Sequence, residues 1–249
     1  MATQTSTIRI SVDGDWDIED LKDLSESLAE TYGLLYPLVA QDEVVRERLQ
    51  DSIRQTFWAG DTDMRYVGER LYRQIPKDEG LKLKSFHYSS LGHLELLGSL
   101  AVLLLMARVA LAWLKVGDGF LSLWRKVEKY FDARKHLKKP KKNFELDTNL
   151  SIDSDEARSL VFDIGVTFGF THASCETLIA AVGNPIATLK FLVALGKEGR
   201  KLSNLQSAGK IMLPAPPTEE IVLQASATTR KRKGDIEVVI KPPRRGPKR

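Results

Sequence analysis

Residues 96–114 are nineteen consecutive positions with a single charge, Arg108. Such a run has to be covered by the rest of the chain, by another protein, or by lipid. Its length is close to the roughly 20 residues that cross a bilayer. On insertion scales its eight Leu and two Val contribute about −5 kcal/mol, and a central arginine takes back about 2.5 to 3.5 kcal/mol. Gly98 and Ser99 erode the remainder, so a membrane span is permitted but not compelled. The expectation is a long apolar helix buried in protein, with Glu95 and Ser99 on one face and Arg108 and Lys115 opposite. If a partner or a second copy covers it, Leu100, Leu104, Leu105, Arg108 and Leu111 are the expected assembly residues.

Residues 81–88 read as a strand and 89–92 as a turn leading into that helix. Ile8, Ile10 and Val12 alternate with polar residues, the period of a half-buried strand. The two strands are expected to pair, because an isolated strand leaves its backbone groups unsatisfied. Between them, Asp15 or Asp17 caps a helix carrying Ile18, Leu21, Leu24, Leu28, Tyr32 and Leu35 at helical spacing, ending near Pro37. Further helices are expected at 42–58 and at 61–75, where Pro76 stops the second. Past Gly117-Asp118-Gly119, an amphipathic helix over 120–136 sets Phe120, Trp124, Val127 and Phe131 on one side.

The next helix is expected to begin after Asp153 and to include 160–170, a nearly continuous apolar stretch read as helix in preference to buried strand. Helices at 173–182 and 185–205 follow, separated by Gly183-Asn184-Pro185, with the proline suited to a first helical turn. From Pro214 onward proline, threonine and charge dominate, the composition of a linker and a disordered tail. Within it, 236–240 (IEVVI) has the strand propensity to add to a sheet edge.

The expected fold class is therefore α+β and predominantly α-helical. A small two-stranded N-terminal β element packs with amphipathic helices, a long central apolar helix, a C-terminal helical region and a basic tail. The expected units are 1–116 (α+β), 117–142 (basic amphipathic helix and loop), 143–213 (helical) and 214–249 (linker and tail).

Charge is distributed unevenly along the chain. Residues 125–142 hold nine Lys or Arg against Glu128 and Asp132, and residues 230–249 hold nine against Asp235 and Glu237, so each segment is +7. With a net charge of +4 overall, the remaining residues sum to −10. An anionic partner would meet Arg125, Lys126, Lys129, Lys138, Lys139, Lys141 and Lys142 in the first segment. In the second it would meet Arg230, Lys231, Arg232, Lys233, Arg244 and Arg245. Neither segment interleaves aromatics in a stacking pattern. The single cysteine, Cys175, excludes an internal disulfide, and the first residues lack the basic and apolar regions of a secretory signal, so the expected location is cytoplasmic.

Complete catalytic constellations are not evident. Asp13, Asp15 and Asp17 resemble the first ligands of a calcium loop, but the sixth position is Ile18 and the twelfth Leu24, which leaves turn and cap duty. His172, Cys175 and Glu176 are adjacent, yet a lone cysteine in an apolar helix is more often a buried small side chain. Zinc needs four ligands, and no such set is spaced along the chain, so no metal and no cofactor are expected. His87 and His93 flank a turn whose Ser89 and Ser90 read as helix caps. Gly165 and Gly169 permit close helix approach or form a bend. The expected function is a non-enzymatic interaction or accessory module that assembles through apolar helices and contacts an anionic partner through its basic segments. The alternatives are a membrane-associated protein spanning at 96–114, with a hairpin at 178–195, and a nucleic-acid-binding protein.

Overall fold

In the computed structural model, which describes residues 5–58, 66–87, 92–115, 118–133, 148–213 and 223, the apolar run 96–114 is divided between a strand and a helix. Strand β3 spans Gly92–Ser99 and helix α4 spans only Leu100–Lys115. This corrects the expected turn at 92 and the expected long helix. The sequence 92–96 in fact alternates, with His93 and Glu95 half-exposed and Leu94 and Leu96 buried, the period of a strand that covers one face. Two contacts fix the switch from strand to helix. The buried Ser99 N–H donates to the Tyr32 hydroxyl at 2.9 Å, and a Cβ on Gly98 would lie 3.1 Å from the Tyr32 ring.

Among the described residues the sheet has four antiparallel strands in the order β2-β3-β1-β4, where β1 is Thr5–Val12, β2 is Lys82–His87 and β4 is Ile211–Met212. The expected pairing of 8–12 with 81–88 is therefore corrected, since β3 lies between them and pairs with β1 from Thr5↔Ser99 to Val12↔Gly92. Among the described residues the β element is four-stranded and not two-stranded. Strand β4, which lies at the end of the helical region, pairs with Ser11 and Val12 and so joins the two ends of the described chain.

Helix α1, Ile18–Leu35, begins in a capping box. Asp20 N–H donates to Asp17 Oδ1 at 2.8 Å, and Asp17 N–H donates back to Asp20 Oδ2 at 3.1 Å. Helix α2 is Glu43–Trp58, as its four-residue spacing predicts. The expected helix 61–75 is shorter than its periodicity suggested. Helix α3 is Val67–Tyr72, preceded by Tyr66 at φ +61, a left-handed conformation that cannot continue a helix, and residues 59–65 lie outside the described residues. Helix α5 is Asp118–Ala133, α6 is Thr148–Thr167, α7 is His172–Val182 and α8 is Pro185–Ser207. Helix α6 starts earlier than expected, so Asp153 lies inside it and does not cap it.

The helix with the most neighbours is α8, which packs against α1, α2, α4, α6 and α7. Two glycines of α8 make this approach close. A Cβ on Gly199 would meet Val109 of α4 at 2.6 Å, and one on Gly196 would meet the Trp124 indole of α5 at 2.7 Å. The α7–α8 corner is closed by Gly183 at φ +109 and by Arg54 of α2, whose Nε donates to Ala181 O at 2.9 Å and Nη2 to Ala180 O at 3.2 Å. Thr171 and Asn184 cap the two helices. Buried Ile10, Val12, Leu94, Leu96 and Ile211 line the inner face of the sheet in one apolar cluster that also includes α1, α4 and α8. Leu28, Leu103, Met106, Leu202 and Leu213 converge on Ile8, Ile10 and Leu96 of that face. Leu223, within the expected linker, is also buried.

No single helix among the described residues is long and apolar enough to cross a membrane. Helices α7 and α8 reach that length and composition only together, across a 105° bend. The alternative of a helix spanning at 96–114 loses the length it needs, because residues 96–99 belong to β3 and pair with β1.

Tyr32 links three parts of this core. Its hydroxyl accepts from Ser99 N–H and donates to Glu79 O at 2.6 Å, and burial pushes its pKa up to about 12, so it remains a donor. Tyr36 donates to the Glu79 carboxylate and Tyr72 to Leu81 O, so the turn 76–81 is held by three hydroxyls. Tyr32→Phe is expected to cost about 1 to 3 kcal/mol in urea unfolding, because it leaves a buried N–H and a carbonyl without partners. An unchanged unfolding midpoint would show that water replaces both bonds.

Candidate functional site

Helix α5 is the described part of the basic segment. One side is fixed by packing: Trp124, Val127 and Tyr130 are buried, the Trp124 ring lies 5.2 Å from Trp113 of α4 in a T-shaped pair, and Gly196 provides the space for it. With these residues held, a step of 100° per residue turns Arg125, Lys126 and Lys129 outward, and all three are exposed. Glu128 and Asp132 are exposed on the same helix. Lys138, Lys139, Lys141 and Lys142, which continue the run, lie outside the described residues, as do Arg230, Lys231, Arg232, Lys233, Arg244 and Arg245 and the segment 236–240.

The expected assembly residues divide into two groups. Leu100, Leu104, Arg108 and Leu111 form a half-buried stripe along one side of α4, at intervals of three or four residues. Leu105 is a correction: at 0% exposure it belongs to the chain's own core, one 100° step away from the stripe. The Arg108 stem passes over Gly169, whose φ of +80 closes the end of α6.

His172, Cys175 and Glu176 are not arranged for catalysis. Cys175 is buried against Gly165, where a Cβ would come within 2.4 Å of its Sγ, so this glycine serves close packing of α6 and α7. Burial, and secondarily the Glu176 charge, pushes the thiol up to about 11, which keeps it protonated. His172 stacks on Phe162 at 4.9 Å, and Glu176 is ion-paired with Arg158. Asp13 accepts from Gly14 N–H and Asp17 caps α1, which is turn and cap duty.

His87 and His93 are brought together by a register that the sequence did not reveal. They face each other across β2 and β3 with ring centroids 4.6 Å apart and ring planes inclined by 29°. In the next row Glu95 is held by Arg9 at 2.6 Å, with Lys84 at 3.9 Å, and the Arg9 bond holds the carboxyl below its ordinary pKa. Among the described residues, no three or more His, Cys, Asp or Glu side chains are grouped to hold a metal ion. No protein-family model matches the chain, and no curated protein or solved structure shows significant similarity to it.

Proposed function

We propose that this chain is a non-enzymatic binding module whose α5 surface, continued by the basic residues 134–142, contacts an anionic partner, and whose half-buried α4 stripe contributes to assembly. The observation that supports it is the orientation of α5. Its aromatic side packs against α6, with Trp124 meeting Trp113 of α4 and Gly196 of α8, and Arg125, Lys126 and Lys129 are left in solvent. A guanidinium and two ammonium groups on one helix attract phosphate or carboxylate without needing a fixed ligand geometry, and binding them releases the counterions condensed on a polyanion.

The test is the triple substitution Arg125→Glu, Lys126→Glu and Lys129→Glu in the full chain. The probes are short double-stranded DNA and phosphatidylserine vesicles. Wild-type affinity for one of them is expected to fall steeply with salt, and the variant is expected to bind that probe about tenfold or more weakly. Circular dichroism should be unchanged, because all three side chains are exposed. If neither probe binds, or if the variant binds as tightly as wild type, the proposal is wrong. The DNA and vesicle arms separate a nucleic acid from a lipid surface as the source of the anionic charge.

A further inference from the structure

On the sheet face away from the helices, one row runs Met212, Ser11, His93 and His87 across β4, β1, β3 and β2. We propose that His87 and His93 form a two-imidazole site for a borderline divalent transition metal of the zinc, nickel and copper(II) class. This site is separate from the α5 surface and does not depend on it.

Three observations support it. First, the two residues are direct partners in an antiparallel ladder, where opposed Cβ atoms lie about 4.5 to 5.5 Å apart. The backbone therefore sets their separation, and little chain entropy remains to be lost on binding. Second, the rings already lie side by side with centroids 4.6 Å apart, so side-chain rotation alone can aim a nitrogen of each at a common ion about 2.0 to 2.1 Å away. Third, His87 is exposed and the His93 side chain is 26% exposed, so an ion can reach the pair from solvent. Imidazole is the side chain that this metal class takes in preference to calcium or magnesium.

The surrounding charges define what kind of site this is. Glu95 Oε1 lies 3.9 Å from His93 Nε2, but its carboxylate is engaged by Arg9 and has Lys84 nearby. Its charge is therefore balanced by these two cations, and it is not counted as a ligand. Two protein ligands fall short of the four that hold a structural zinc, which leaves positions for water or a small anion. The site is thus open and exchangeable, and the fold does not depend on it.

The test uses the full chain and the ions alone. Zinc chloride and nickel chloride are titrated in separate calorimetry experiments, and thermal unfolding is followed with each ion and after addition of EDTA. One ion per chain is expected, with a rise in unfolding midpoint of about 2 to 4 °C that EDTA reverses. His87→Ala and His93→Ala are each expected to weaken binding by about tenfold or more, while His172→Ala leaves it unchanged. The proposal is overturned if wild type binds neither ion. It is equally overturned if either His87→Ala or His93→Ala retains wild-type affinity, or if His172→Ala loses it.

Discussion

Gly33→Ala is expected to cost about 3 kcal/mol or more, a large share of the roughly 5 to 15 kcal/mol that holds an ordinary chain folded. The added Cβ would lie 2.0 Å from Gly68 O and 2.8 Å from Tyr72 N, and a Cβ on Gly68 would lie 2.3 Å from Glu30 O. All of these neighbours are backbone, so no rotamer change relieves the overlap and α1 must move away from α3. That movement also strains the bonds of Tyr32, Tyr36 and Tyr72 to residues 79–81. Gly80→Ala is the control, since its nearest atom would be Pro76 O at 3.7 Å and its expected cost is within about 0.5 kcal/mol. Urea unfolding of the two variants beside wild type decides the matter, with folded yield and circular dichroism as the readout if Gly33→Ala cannot be purified. Equal stability of the two variants would mean that α1 and α3 are not in backbone contact.

Glu30→Gln is expected to remove most of a pH dependence of stability between about pH 4.5 and 7. Glu30 lies on α1 where α3 and α8 meet it. Burial, and then the Glu198 charge, raise its pKa from 4.5 to about 7. Glu69 adds to this, while Lys201 and the Gly68 N–H oppose it. Glu198 is itself buried and paired with Lys201 at 2.9 Å, so that lysine is shared between carboxylates. At pH values below the unfolded pKa, Glu30 is protonated in both states and the fold is not penalised. Between the two values the folded state keeps a proton that the unfolded chain releases, so stability falls as pH rises, and the loss is complete above about 7. At about 1.4 kcal/mol per unit, and discounting for partial solvation, the loss is about 1 to 3 kcal/mol. Glutamine keeps the shape and removes the titration, so at pH 8 the variant should be the more stable protein by that amount. A variant with the wild-type pH slope would place the titrating group elsewhere.

The segments whose boundaries were legible carry their own local signals. Helix α1 has an aspartate cap and apolar residues at helical spacing, and α8 follows Asn184-Pro185, where asparagine caps and proline occupies the first turn. The α5 cations were legible as well, because an amphipathic pattern tells which residues face out once one side is packed. Strand β3 was missed because 96–99 are leucines, glycine and serine joined to an apolar helix, and hydrophobicity alone does not separate strand from helix over so few residues. Strand β4 is two residues long and has no period to read. Histidines 87 and 93 were visible as the flanks of a turn, but only the β2–β3 register sets them face to face.

The chain alone determined that this is a mostly helical protein with a small β element, where most of its helices begin, and that α5 carries an outward row of cations. These follow from capping, spacing and charge, which act within a few residues of one another. Tertiary structure decided where the apolar run 96–114 changes from strand to helix, which helix is enclosed on most sides, and which distant residues share a row of the sheet. Those outcomes depend on contacts such as Tyr32 with Ser99, Gly199 with Val109 and His87 with His93. Each joins different elements of the fold, and no local propensity encodes them.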